Sequence, residues 1–206
     1  GTLAIDGSLG GSVTSQGSLL TVGGAVAGDV TVGAGTATIG APGRIGGDLF
    51  ATGSATVRLD GTVTGNADIA SGARLSGIGR IGGDLILAGT FAPGNSVGAI
   101  SVGGNATFAA GSVFDLELDA DGSGDTLSVM GTTTIAGGTV RITTLDPELD
   151  YTDGSEYTFI TSAGGLTGTF DSLSETSAFL DFVLGYDGNR AFVTVDVVRT
   201  FPDVAQ

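Results

Sequence analysis

The sequence predicts an all-β chain wound as a parallel β-helix with a cap-like C-terminal segment, and three observations carry that reading. Glycine supplies 39 of the 206 residues, far above the ~7% of average proteins, and with four prolines and no Gly-X-Y period the chain is not collagen-like. Between the glycines lie short β-branched and aliphatic runs. An acidic or amide residue returns after glycine at Asp29, Asp48, Asn66, Asp84 and Asn105, a period of about 19 residues that marks a solenoid.

Taken from the N-terminus, Asp29-Val-Thr-Val32, Ala55-Thr-Val-Arg-Leu59 and Asp84-Leu-Ile-Leu87 alternate inward and outward positions and are bounded by glycine or asparagine, so they read as short strands. The segment Gly43-Arg-Ile-Gly-Gly-Asp-Leu49 returns unchanged as Gly79–Leu85, two periods later. No stretch carries a useful i, i+3, i+4, i+7 apolar pattern, and glycine every few residues costs a helix about 1 kcal/mol apiece. Each period therefore supplies three short strands and three turns. Windings stacked about 4.8 Å apart make ~10 of them a rod on the order of 50 Å long. Inward Val, Ile and Leu form ladders along the rod. No single winding buries its own apolar face, so stability is shared between neighbours and the ends need caps.

Composition divides the chain near residues 108 to 114. Residues 1–110, the glycine-rich windings, carry six acidic and four basic residues; residues 111–206 carry sixteen and three. Of the aromatics, only Phe50, Phe91 and Phe108 precede the boundary, and ten follow it, from Phe114 to Phe201. The second part is thus an aromatic, acidic region that builds a core the first part lacks.

The same counts exclude whole classes of chemistry. Without histidine, cysteine or lysine there is no Ser-His-Asp triad, no Cys/His zinc site and no covalent lysine adduct. A net charge of −15 with no basic patch excludes nucleic acid as a partner. Gly7–Gly28 is uncharged, but its Ser, Thr, Gln and Gly residues rule out a membrane-spanning helix there. The lack of cysteine suits both the cytosol and export. No leader sequence is visible at Gly1, so a secreted form would be a processed chain.

Four motifs invite a chemical reading. Gly77-Ile-Gly79-Arg-Ile-Gly82 matches G-x-G-x-x-G, but a strand follows where phosphate binding needs a helix; it reads as winding corners. Asp115, Glu117 and Asp119 alternate with Phe114, Leu116 and Leu118, which on a strand aligns three carboxylates on one face, a row open to glycoside hydrolysis, to cations or simply to solvent. Asp119-Ala-Asp121-Gly-Ser123-Gly-Asp125 spaces oxygens like a calcium loop, yet Met130 stands where a bidentate Glu belongs; it reads as an acidic turn, with calcium binding left open. The serines lack a G-x-S-x-G elbow. The expectation is no catalytic, cofactor-binding or metal-ligating residue, and no cofactor.

From Gly89 onward the chain resembles the C-terminal passenger region of bacterial autotransporters of the pertactin-like group. The resemblance rests on an ordered series: Gly89-Thr-Phe-Ala-Pro-Gly-Asn-Ser-Val97, Val102-Gly-Gly-Asn-Ala-Thr-Phe108, Ser123-Gly-Asp-Thr-Leu-Ser-Val129, Gly137-Gly-Thr-Val140 and Tyr157-Thr-Phe-Ile160. It continues through Gly164-Gly-Leu-Thr-Gly-Thr-Phe170, Ser177-Ala-Phe-Leu180, Leu184-Gly-Tyr-Asp187 and Arg199-Thr-Phe-Pro-Asp-Val-Ala205. It implies a right-handed β-helical stem exported to the bacterial cell surface, without catalysis, whose C-terminal part is an autochaperone that nucleates folding. The implied partners are an outer-membrane β-barrel domain, absent from this chain, and a host or neighbouring-cell surface. Two alternatives come from other classes: a self-assembling extracellular fibre or adhesin subunit, stacked end to end through an uncapped first winding, and a carbohydrate-binding or carbohydrate-cleaving β-helix. The nucleus reading predicts that residues 111–206 fold alone and residues 1–110 do not.

Overall fold

The computed structural model describes residues 1–175, 177 and 179–198. Its early windings follow the predicted period of about 19 residues, and the later ones are longer. The first holds β1 (Thr2–Ile5) and β2 (Ser8–Leu9), the second β3 (Val13–Val22) and β4 (Ala25–Val26), and the third β5 (Val30–Ile39) and β6 (Arg44–Ile45). Three strands per winding then become regular. These are β7 (Leu49–Ala51), β8 (Thr56–Leu59) and β9 (Thr62–Val63), then β10 (Ala67–Ile69), β11 (Arg74–Gly77) and β12 (Arg80–Ile81). Next come β13 (Leu85–Leu87), β14 (Thr90–Pro93) and β15 (Ala99–Val102), followed by β16 (Ala106–Phe108), β17 (Val113–Leu118) and β18 (Thr126–Val129). The last are β19 (Thr133–Ile135), β20 (Thr139–Thr144) and β21 (Glu156–Ser162), then β22 (Leu166–Gly168) and β23 (Ser172–Ser174), and a closing hairpin of β24 (Leu180–Tyr186) and β25 (Arg190–Val197).

Equivalent strands pair in parallel from winding to winding, which makes the molecule a parallel β-helix with three faces. Face one runs β7-β10-β13-β16-β19-β22, face two β8-β11-β14-β17-β20-β23, and face three β2-β4-β6-β9-β12-β15-β18-β21. In β3 and β5 the strand bends round the corner between faces one and two without a break, at Gly17 and Gly35, both with φ near +80°. Later windings make the same corner with a tight turn whose left-handed residue is again glycine, such as Gly53 and Gly72.

The alternation read from sequence becomes continuous inward rows. On face two, Leu20, Ala37, Val57, Leu75, Phe91, Phe114 and Val140 stack in register, all buried. On face three, Val26, Ile45, Val63, Ile81, Val102 and Val129 do the same. In the first winding the residues of these rows lie open, with Leu3 45% and Leu9 40% exposed. At the other end β25 pairs antiparallel with β21, and β24 with β25, so the parallel ladder of face three terminates in a reversed hairpin. Its Leu180 and Phe182 are buried in the core. The one helix among the described residues is the 3-10 turn Glu148–Asp150, far too short to cross a membrane.

The glycine that precedes each periodic Asp or Asn has a steric cause. A Cβ on Gly47 or Gly65 would run into the carboxylate of the preceding winding, Asp29 or Asp48, and into its backbone. Only glycine allows windings to approach this closely at that corner.

Candidate functional site

The compositional boundary does not break the sheets, since β16–β19, β14–β17 and β15–β18 all pair across it. On both sides of it the rod is filled by a cluster of five phenylalanines. Phe114 lies at the centre, with ring centroids 5.2 Å from Phe91, 6.1 Å from Phe108, 5.1 Å from Phe159 and 6.4 Å from Phe170. Most pairs meet edge to face, the arrangement that the ring quadrupoles favour. Phe91 and Phe108 belong to this cluster although they precede residue 111. The Phe170 amide donates to the Tyr186 hydroxyl at 3.0 Å, tying the cluster to the hairpin. Not every aromatic of the second part joins it: Phe179 is 50% exposed.

Winding length grows through this region because the corner between faces two and three gains residues: 94–98, then 119–125, then 145–155. These loops are anchored by side chains. The Tyr151 hydroxyl donates to the Leu118 carbonyl at 2.6 Å and the Tyr157 hydroxyl to the Asp119 carbonyl at 2.8 Å. Burial raises both phenol pKa values. Asp125 is 2% exposed; its carboxylate accepts from the Gly98 amide at 2.9 Å and the Glu117 amide at 3.2 Å. It thereby holds the loop of one winding against the strand of the next. Burial pushes its pKa up to about 7, against the opposing pull of those two amides.

Beside Asp125 lies a cleft of about 330 Å³ lined by Arg74, Ser76, Asn95, Ser96, Asp115, Glu117, Arg141 and Thr143, among others. Ser96, at φ 87°, is the one non-glycine residue with positive φ among the described residues. Asp115 is claimed by two cations, Arg74 at 2.5 Å and Arg141 at 2.6 Å. Among the described residues no aromatic side chain lines the cleft.

The acidic motifs resolve as follows. Asp115 and Glu117 face outward on β17 as expected, but the strand ends at Leu118, so Asp119 leaves the row. The Asp119 carboxyl instead meets Asp146, a contact that raises its pKa. In the calcium-like loop Asp121 accepts from the Ser123 amide and hydroxyl, which lowers its pKa, while Asp125 turns inward to Gly98. The three carboxylates thus serve three different places. No group of three metal-ligating side chains converges among the described residues. Gly77–Gly82 forms winding corners between β11 and β12 and after β12, as read. The segment Arg199–Ala205, and Ala178 within Ser177–Leu180, lie outside the described residues.

The periodic Asp and Asn residues gain a defined contact. The side-chain oxygen of Asp29 accepts from the backbone amide of Asp48, Asp48 from Asn66, Asn66 from Asp84, Asp84 from Asn105 and Asn105 from Thr132, at 2.6 to 2.9 Å. Ser12 starts the series by accepting from the Asp29 amide at 3.0 Å. Their spacing is legible in the sequence; their partners are not.

No protein-family model matches the chain. It is 28% identical over 150 residues, 69% of its length, to an extracellular serine protease of Serratia marcescens, of which those residues make up 14%. The chain thus spans about a seventh of that relative, and its 206 residues contain no histidine for a serine-protease triad. The likeness to an extracellular protein, together with the parallel winding, fits the exported passenger region that the sequence resembles.

Proposed function

We propose that this chain is the β-helical stem of an autotransporter passenger of the pertactin-like group, displayed at the bacterial cell surface, and that its C-terminal windings nucleate the folding of the rest. The observation that carries this reading is the phenylalanine cluster around Phe114, confined to the last windings and closed by the hairpin β24–β25. The hydrophobic side chains buried before residue 84 are all aliphatic, and parallel pairing is slow because loop closure precedes any gain. A part that folds first supplies the edge on which further windings add. If export delivers the C-terminal end first, that edge is ready before the rest emerges, and no catalytic residue or cofactor is needed. Its natural partner is an outer-membrane barrel beyond this chain.

A saccharide-cleaving reading finds less support. Asp115 is tied to two arginines, and both oxygens of Asp125 accept backbone amides. Denaturant melts of residues 84–206 and of residues 1–83, followed by far-ultraviolet circular dichroism, test the nucleus. The cut is placed before Phe91 and Phe108 because both contribute rings to the cluster. The C-terminal fragment is expected to melt cooperatively and the repeats to show no transition; a cooperative transition in residues 1–83 alone would overturn the proposal.

A further inference from the structure

The corner between faces three and one repeats one hydrogen bond without changing its direction: the side-chain oxygen of each winding accepts the backbone amide of the next. We propose that this ladder sets the stacking register of the glycine-rich windings. The need for such a device follows from their core. Inward rows of Val, Ile, Leu and Ala distinguish inside from outside, so a slip of one residue is forbidden, but a slip of two keeps every apolar side chain inward. Face three discriminates little, since β4, β6, β9 and β12 are two residues each. The ladder does discriminate. A two-residue slip removes the acceptor from the corner amide. It also brings a residue with a Cβ to positions where Gly47, Gly65 and Gly104 now lie against the oxygens of Asp29, Asp48 and Asp84. The side chains that serve, Ser12, Asp and Asn, share an acceptor on a short stem. Charge is not common to them; the acceptor is.

Register does not depend on which end folds first, so the ladder stands or falls separately from the folding nucleus. The chain has no cysteine, which makes register readable by cross-linking. Thr62 and Arg80 are outward register partners on β9 and β12, and neighbouring strands about 4.8 Å apart suit a disulfide, whereas a two-residue slip adds roughly 7 Å along the strand. The double variant T62C/R80C is refolded in the full chain and oxidised mildly, with and without Asp48→Ala or Asp48→Asn. Asp48 accepts from Asn66 at this same interface. The intact ladder is expected to give nearly complete cross-linking, Asp48→Ala at least a threefold lower fraction, and Asp48→Asn full recovery. Cross-linking in Asp48→Ala equal to the parent, or Asp48→Asn as poor as Asp48→Ala, overturns the proposal. Should Asp48→Ala fail to fold, Ser12→Ala decides, read by A25C/R44C on β4 and β6; it removes the outermost acceptor alone and leaves the rest of the rod in place. The same threefold drop supports the ladder, and an unchanged yield overturns it.

Discussion

Replacing Phe114 by alanine separates a folding nucleus from an ordinary core position. The ring is fully buried and within 6.4 Å, centroid to centroid, of four other phenylalanines. Truncating such a ring costs about 3–5 kcal/mol, against a total stability of about 5–15 kcal/mol, so the variant remains measurable. Leu59, fully buried in the glycine-rich windings, gives a matched control at about 3 kcal/mol. If Phe114 sits in the nucleus with φ near ~0.7, a loss of ~4 kcal/mol slows refolding roughly 100-fold. If Leu59 joins late with φ near ~0.1, refolding changes less than about twofold and unfolding accelerates roughly 100-fold. Stopped-flow refolding and unfolding across a denaturant series, read by tyrosine emission and by circular dichroism, give both arms. Phe114 is no part of a nucleus if Phe114→Ala acts only on unfolding, or if Leu59→Ala slows refolding as much as Phe114→Ala does.

Two further outcomes follow from charged groups. The Asp125 carboxyl, pushed up to about 7 by burial, binds its proton more tightly in the fold than in the unfolded chain, where it titrates near ~3.9. Its contribution therefore makes stability fall as pH rises from about 4 to about 7 and stay level above that. Asp125→Asn is expected to narrow the difference in melting temperature between pH 4.5 and pH 7.5, and identical profiles in parent and variant refute the assignment. The Arg74–Asp115–Arg141 group lies on an outer face, with the arginine side chains 41% and 54% exposed. Asp115→Asn is expected to cost no more than about 1 kcal/mol in urea melts, and a loss beyond about 2 kcal/mol would mean that the cleft depends on that carboxylate.

The parts of this fold legible in the sequence are those governed by short-range rules repeated many times. Val30-Thr-Val32, Thr56–Leu59 and Leu85–Leu87 declared themselves as strands because alternation and flanking glycine recur, and the period followed from Asp29, Asp48, Asn66 and Asp84. What stayed hidden depends on register between windings of unequal length. Ladder partners are 17 to 19 residues apart near the start but 21 and then 27 apart later. Arg74 and Asp115, 41 residues apart, therefore could not be matched by counting. Asp119 illustrates the same limit within one strand: alternation continues through it, but the turn closed by the Asp119 amide on the Ser123 carbonyl ends the strand first. Nor does composition report orientation, so Phe179 counted as core material and lies exposed.

Two kinds of specification thus divide the rod by chemistry. In the C-terminal windings, rings of fixed shape interlock, and loops of different lengths are held by individual side chains such as Asp125, Tyr151 and Tyr157; no other pairing of those windings would satisfy the same contacts. In the glycine-rich windings the core is nearly uniform, which makes each winding interchangeable with its neighbour in apolar terms and leaves pairing under-determined. A polar contact at one corner is the economical remedy, because a hydrogen bond discriminates over a few tenths of an ångström where apolar burial is non-directional. The ladder stops at Thr132, within the windings that contain the phenylalanine cluster. Directional polar contacts act without ring packing where the buried hydrophobic side chains are all aliphatic, and from Asp84 to Thr132 they run alongside it.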